Sequence, residues 1–233
     1  MAAYDPDNDS RLDPRVRAIL KMVPSGPSPT YASREATIEA ARSPEALANA
    51  QTARDLMELC DTEEVVTSAG LELWAEKIES QPDGNTIHLQ IVRPAGNAVV
   101  PCVYYIHGGG MASLSCTMGN YRAWAKIIAH HGICVVMVEF RNSMQPSSVE
   151  DIAPFPGGLN DCVSGLKWVQ GHANELHIDP KRIVVSGESG GGNLALAVGL
   201  GLKRLGEEGF VKGIYAFCPF IAGEYPQIGR AHV

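Results

Sequence analysis

Residues 183–197, IVVSGESGGGNLALA, decide the fold of this chain. Residues 183–186, of which the first three are apolar, predict a short buried strand, and a helix is predicted to begin at Asn193. Between the two lies Gly-x-Ser-x-Gly, a pattern in which a strained strand-to-helix turn exposes the central serine, here Ser189. Glycine suits such a turn because it has no Cβ to clash. We therefore expect a reactive serine at the end of a strand. The alternative is a plain glycine-rich turn, or a helix start that binds an anion.

Nearly continuous apolar runs surround this turn, at residues 99–106, 133–140, 182–185 and 211–217. Strands of that composition are buried on both faces, as in a parallel sheet. Helical patterns alternate with them, at residues 121–131, 159–176 and 193–205. The alternation predicts βαβ units and a doubly wound α/β domain with a mostly parallel sheet.

The chain before residue 95 has a different character. A helix is predicted to start at Ser43-Pro44-Glu45, with serine as the cap and proline in the first helical position, and its apolar face runs to about Cys60. A shorter amphipathic helix is predicted at residues 14–22. From Leu71 the apolar period becomes two, so residues 71–78 and 87–92 predict a hairpin joined by a turn at residues 82–85.

Charge and cysteine usage narrow the class of protein. The net charge is −7, and the basic residues are scattered, which argues against a nucleic-acid or anionic-membrane partner. No apolar run approaches ~20 residues, so no transmembrane helix is expected, and the acidic start lacks a signal-peptide pattern. The six cysteines form no Cys-x-x-Cys pair, and Cys102, Cys134 and Cys218 lie in apolar runs that predict buried thiols. We expect a soluble, cytoplasmic protein with reduced cysteines.

Five segments together resemble one family. They are residues 107–110 (HGGG), 139–142 (EFRN), 154–162 (PFPGGLNDC), 177–183 (HIDPKRI) and the Gly-x-Ser-x-Gly turn. In this order they resemble the hormone-sensitive-lipase-like esterases of the α/β-hydrolase fold, and the resemblance covers about residues 70–222. The chain departs from the family at Glu188 and Gly190, where members often have Asp and Ala, and in a longer loop at residues 142–153.

The resemblance implies a role for each of five residues. Ser189 would be the nucleophile that attacks a small acyl ester and forms an acyl-enzyme, with no metal and no cofactor. The backbone amides of Gly109, Gly110 and Gly190 would form the oxyanion hole. His107 would order its loop rather than act as the base. The resemblance also implies two parts of the chain: an N-terminal helical cap segment over residues 1–65 and an α/β-hydrolase core over residues 66–233.

Acidic residues near these segments have plainer interpretations. Asp161, on a predicted helix, and Asp179, in a turn before a strand, are expected to be capping or structural acids. Glu188 is expected to make polar contacts beneath the serine turn rather than to transfer protons.

The partners of Ser189 are not evident. In this fold the acid and then the histidine follow the serine, each at the end of a later strand. After Ser189 the sequence has no aspartate and one histidine, His232. Glu224 and His232 are poor substitutes because they share one short stretch. We therefore expect the N-terminal two-thirds of a longer esterase, without its last strands and with impaired turnover. Its apolar sheet edge could pair with another copy.

Two other interpretations stay open. The chain could be a non-catalytic small-molecule-binding protein on a hydrolase scaffold, which would need no serine in this turn. Alternatively, a second chain could supply the last strands, the acid and the histidine.

Overall fold

The computed structural model describes residues 9–20 and 31–221 of the chain. It divides into two compact units with a boundary between Ala53 and Arg54. The predicted division into a cap segment (1–65) and a core (66–233) stays a prediction. Likewise, the predicted pairing through the sheet edge stays a prediction. No helix within the described ranges is long and apolar enough to cross a membrane.

The N-terminal unit contains helices α1 (Pro14–Leu20) and α2 (Arg34–Ala41) and the start of α3 (Pro44–Glu58). The predicted helix start at Ser43 is confirmed, because the Ser43 hydroxyl accepts a hydrogen bond from the backbone N–H of Ala46 at 3.2 Å. Residues 21 and 22, the predicted end of the first helix, lie outside the described residues.

The larger unit is built on one six-stranded sheet with the order β1-β2-β4-β3-β5-β6. Its strands are β1 (Leu71–Glu79), β2 (Thr86–Pro94), β3 (Val100–Ile106), β4 (Cys134–Glu139), β5 (Ile178–Glu188) and β6 (Gly213–Phe217). The first two strands form the predicted antiparallel hairpin, and β2 is antiparallel to β4. The strands β4, β3, β5 and β6 run parallel, as predicted.

Three helices cover the two faces of this sheet: α4 (Gly119–Ala129), α5 (Gly157–Gly171) and α6 (Gly190–Leu205). Strand β4 shows the division, because its residues alternate between two hydrophobic cores. Val136 and Val138 pack with α5 and α6 in one core, whereas Val135 and Met137 pack with α4 in the other. All six residues of β4 are buried. The predicted doubly wound α/β architecture is thereby confirmed.

Strand β6 corrects one prediction. Its apolar run predicts burial on both faces, yet Tyr215 is 59% exposed and Phe217 is 55% exposed. The reason is position: among the described strands β6 pairs with β5 alone, at the end of the sheet. The predicted burial of Cys218, which follows β6, is wrong for the same reason, since this thiol is exposed.

The end of helix α5 corrects a second prediction. The pattern predicts a helix to residue 176, but α5 ends at Gly171. The ring of His172 stacks on Trp168 at 4.1 Å, and its Nδ1 lies 2.8 Å from the Trp168 carbonyl oxygen. The Trp168 carbonyl thus faces both the backbone N–H and the ring of His172, the residue that follows α5.

Candidate active site

Ser189 lies at the junction of β5 and α6, as the sequence predicts. Its backbone has φ +51° and ψ −117°, a region that a non-glycine residue enters only under strain. The neighbouring edge strand holds it there, because the Ser189 N–H donates to the Phe217 carbonyl at 2.9 Å. The Ser189 carbonyl in turn accepts from the N–H groups of Asn193 and Phe220, each at 3.0 Å. The strained turn is therefore fixed from both sides.

The glycines of this turn allow backbones to touch. A Cβ on Gly191 would lie 2.5 Å from the His107 carbonyl oxygen and closer still to the carbonyl oxygen of Ile106. A Cβ on Gly187 would collide with the backbone of Gly191. Only hydrogen fits at either position, so the first turn of α6 can pack directly against the end of β3.

The loop after β3 wraps over the same helix start. Gly109 and Gly110 have φ values of +100° and +64°, which suit glycine. A Cβ on Gly190 would lie 2.7 Å from the nitrogen of Gly110 and 2.6 Å from that of Met111. The structure therefore places the predicted residues Gly110 and Gly190 side by side, next to Ser189.

Each of the three predicted amides belongs to a peptide plane whose carbonyl is already held. The Gly108 carbonyl accepts from His107 Nδ1 at 2.8 Å, and the Gly109 carbonyl accepts from the backbone N–H of Ala112 at 3.0 Å. The Ser189 carbonyl is held as described above. Because a peptide unit is planar, these bonds also fix the N–H groups that follow, on Gly109, Gly110 and Gly190.

None of these three N–H groups donates a hydrogen bond to another group in the part of the chain that the structure describes. Unpaired backbone donors are uncommon in folded proteins. Donors that are fixed in advance and left unpaired can stabilise a negative charge that develops during a reaction.

His107 is completely buried and stacks on Phe140, with ring centroids 4.3 Å apart. A carbonyl oxygen can only accept, so Nδ1 carries the proton that it shares with the Gly108 carbonyl. Burial lowers the pKa of His107, which favours the neutral ring. The His107 side chain therefore makes its hydrogen bond within its own loop.

The three candidate acids of the sequence bind groups other than the Ser189 hydroxyl. Asp161 binds Arg141 and Ser80 in the interior, and Asp179 binds Arg182 at the surface. Glu188 accepts a hydrogen bond from Tyr121. No carboxylate or imidazole bonds to the Ser189 hydroxyl within residues 9–20 and 31–221, and Glu224 and His232 lie outside those ranges.

Two further features border the site. A cavity of about 290 Å³ adjoins Glu188 on the α4 face of the sheet and is walled mainly by aromatic rings, including Trp124 and Tyr215. Its lining includes Ser186, Gly187 and Glu188, which precede Ser189, and does not include Gly109, Gly110 or Gly190. Among the described residues, no group of three or more His, Cys, Asp or Glu could hold a metal ion.

Sequence reasoning missed Tyr121, whose hydroxyl lies between the 107–110 loop and Glu188. No motif marks it, because its partners are a backbone amide and a residue 67 positions away.

Residues 103–231 match the sequence profile of the α/β-hydrolase fold family. The chain belongs to this family. Among solved structures, this α/β-hydrolase is similar to esterase Est22, with 52% identity and a TM-score of 0.90 over 96% of the chain. It is also similar to brefeldin A esterase, a bacterial homologue of human hormone-sensitive lipase, with 31% identity and a TM-score of 0.76 over 97% of the chain.

A curated relative is carboxylesterase NlhH of Mycobacterium tuberculosis, 36% identical over 96 residues, which are 41% of this chain. The predicted resemblance to hormone-sensitive-lipase-like esterases is confirmed. The α/β-hydrolase chain spans 65% of Est22, 62% of brefeldin A esterase and 28% of NlhH. The chain also matches tuliposide A-converting enzyme 2 of Tulipa gesneriana, of whose length it spans 33%. It thus spans about a third or less of the length of these curated relatives.

Proposed function

We propose that this α/β-hydrolase is a carboxylic-ester hydrolase that acts on small acyl esters through Ser189. One observation carries the proposal: three fixed N–H groups, which donate to no other described residue, lie on the strained turn of Ser189 and on the loop that packs against it. Its structural relatives support the substrate class, since they are esterases, and one structure holds Est22 with p-nitrophenol.

The proposed reaction has two halves. The Ser189 oxygen attacks the ester carbonyl carbon, the C–O double bond opens, and the resulting oxyanion is held by the N–H groups of Gly109, Gly110 and Gly190. When the carbonyl re-forms, the ester C–O bond breaks and the alcohol leaves with a proton. Water then attacks the acyl-enzyme in the same way, releasing the carboxylic acid and restoring the serine.

This sequence needs a base that accepts the serine proton and returns it to the leaving alcohol. In the described residues no side chain is placed to do so, and a serine hydroxyl is a weak nucleophile without an oriented base. We therefore propose that this chain, acting alone, turns over esters slowly. The residual rate would come from attack by the Ser189 hydroxyl without an oriented base, assisted by ester binding and by the oxyanion hole.

The test compares hydrolysis of p-nitrophenyl acetate and butyrate by the 233-residue chain, its Ser189→Ala variant and a Ser186→Ala variant. Ser186 lies in β5, three residues before Ser189, and borders the aromatic cavity, so it controls for loss of a nearby serine. We expect turnover to vanish only in Ser189→Ala and the mass of one acetyl group to appear on the wild-type chain. Equal rates in all three proteins would contradict the proposal. Ester binding without acylation would favour the non-catalytic binding protein.

A further inference from the structure

The hydroxyl of Tyr121 makes two hydrogen bonds between the 107–110 loop and the serine turn. It lies 3.0 Å from the backbone nitrogen of Gly108 and 2.9 Å from Oε1 of Glu188. Tyr121 comes from α4, Gly108 from the loop after β3, and Glu188 from the end of β5. One side chain thus joins three separate parts of the chain, and it is only 3% exposed.

The direction of both bonds is fixed by the groups involved. The Gly108 N–H can only donate, so the tyrosine oxygen accepts from it. The tyrosine proton is then free for the Glu188 carboxylate, which accepts. Burial raises the pKa of Tyr121, and the charge of Glu188 raises it further, so the hydroxyl keeps its proton. The two bonds run one way, from Gly108 through Tyr121 to Glu188.

The space around this connection is filled. A Cβ on Gly108 would lie 2.6 Å from Glu188 Oε1 and 3.1 Å from the Tyr121 hydroxyl oxygen. Glu188 directly precedes Ser189, and Gly108 directly precedes Gly109. The connection therefore sets the distance between the serine turn and the loop that carries two of the proposed oxyanion donors.

We infer that Tyr121 and Glu188 are a positioning pair that holds the 107–110 loop in register with the serine turn. The inference rests on the proposed function. The amides of Gly109 and Gly110 lie on the loop, whereas that of Gly190 lies on the turn, so the three converge only if the two parts keep their relative position. An electrostatic site depends on donors that need no rearrangement during the reaction.

Tyr105 provides a matched control. Its ring lies 6.1 Å from that of Tyr121 in the same core, and it is 6% exposed. Its hydroxyl makes no hydrogen bond to another described residue. Tyr105→Phe and Tyr121→Phe therefore remove the same atom from the same core, but only the second breaks the connection.

The first experiment needs no turnover. Amide hydrogen exchange of Gly108 is measured by NMR in the 233-residue chain and in both phenylalanine variants, with melting temperatures recorded alongside. In Tyr121→Phe the Gly108 N–H loses its acceptor, so its exchange should accelerate about tenfold or more, the scale of one lost hydrogen bond. Tyr105→Phe should leave it unchanged. Unaltered Gly108 exchange in Tyr121→Phe would overturn the inference.

The second experiment uses Glu188 to test the pair. Glu188→Ala removes the acceptor, whereas Glu188→Gln retains an oxygen that can accept from Tyr121. We expect faster Gly108 exchange in Glu188→Ala and little change in Glu188→Gln. In the Tyr121→Phe background, Glu188→Ala should add nothing, because coupled residues give non-additive effects. Additive effects would show that the two residues act separately.

The third experiment measures hydrolysis of p-nitrophenyl acetate. Tyr121→Phe should lower kcat about tenfold, the equivalent of ~1.4 kcal/mol of transition-state stabilisation, with KM within about twofold. A purely structural role of Tyr121 would lower the stability of the protein or its active fraction, but not the kcat of the active molecules. If Ser189→Ala hydrolyses as fast as the parent chain, the proposed function fails while the exchange result still stands. If Ser189→Ala is inactive and Tyr121→Phe matches Tyr105→Phe, only the positioning pair fails.

Discussion

Asp161 and Arg141 form a buried ion pair that joins α5 to the end of β4. Asp161 is completely buried, and its two carboxylate oxygens lie 2.9 and 3.0 Å from Nε and Nη2 of Arg141. The same carboxylate accepts from the hydroxyl of Ser80 at 2.6 Å, in the hairpin between β1 and β2. One acid thus ties the hairpin, β4 and α5 together, and the expectation that Asp161 is a structural acid agrees with these contacts.

We expect Asp161→Ala to destabilise the chain strongly. The substitution removes the fully buried partner of the Arg141 guanidinium and leaves it with Asp83, 2.7 Å away and 46% exposed. Breaking one side of a buried pair typically costs about 3–5 kcal/mol. Urea unfolding followed by circular dichroism would measure this as a lower midpoint with an unchanged slope. The comparison variant is Glu207→Ala, whose pair with Lys167 has side chains 30% and 39% exposed. It should cost less than about 1 kcal/mol, and equal losses in both variants would contradict the argument.

Helix α6 contains two glycines with opposite expected responses to alanine. A Cβ on Gly191 meets the carbonyl oxygens of Ile106 and His107, whereas nothing lies within 4 Å of a Cβ on Gly201. Gly191→Ala should therefore destabilise the chain by ~1–3 kcal/mol through overpacking and weaken ester hydrolysis by displacing the serine turn. Gly201→Ala should stabilise it by ~0.5–1 kcal/mol, because alanine is the better helix former. Thermal melts of the two variants test both signs, and a stabilising Gly191→Ala would refute the close backbone packing.

The sequence pattern predicted β4 and the serine turn because each depends on the chemistry of its own residues. The β4 run is apolar at nearly every position, and burial on both faces requires that composition. The serine turn was predictable because glycine alone permits the contact between Gly191 and the end of β3.

The features that escaped prediction depend on distant neighbours. The exposure of Phe217 follows from the place of β6 at the end of the sheet, which its own residues do not encode. The end of α5 at Gly171 is followed by the His172 ring stacked on Trp168, a contact that no local pattern marks. The role of Tyr121 depends on Gly108 and Glu188, which come near it only once β3, α4 and β5 have packed.

Glu63 gives the chain an acid-sensitive contribution to stability. Its carboxylate accepts from the Ser68 hydroxyl at 2.5 Å, from the Ser68 N–H at 2.9 Å and from the Thr67 hydroxyl at 3.0 Å. These bonds, Ser68 first, lower the pKa of Glu63 from 4.5 to about 2. A depressed carboxyl pKa stabilises the fold above the unfolded value and loses that effect as the pH falls through the folded value.

We therefore expect Glu63→Gln to lower the unfolding midpoint in urea at pH 7. The difference from the parent chain should stay constant down to about pH 4.5 and shrink as the pH falls towards 2. Glu64→Gln, at the next position, serves as the control. A difference for Glu63→Gln that is independent of pH down to pH 2 would show that its carboxylate charge contributes nothing.

Thiol reactivity should distinguish the exposed cysteine at the edge of the sheet from the buried cysteines of its core. Cys218, after β6, is exposed, whereas Cys102, Cys116, Cys134 and Cys162 are at most 1% exposed. Burial raises the pKa of Cys116 and Cys162 well above the ordinary value, which suppresses the reactive thiolate. With Ellman's reagent on the folded chain, we expect Cys218 to react first, half-buried Cys60 more slowly, and the other four only on unfolding. The fast phase should disappear in Cys218→Ser. If instead several thiols react rapidly in that variant, the packing of the core around β3, β4 and α5 is looser than the structure describes.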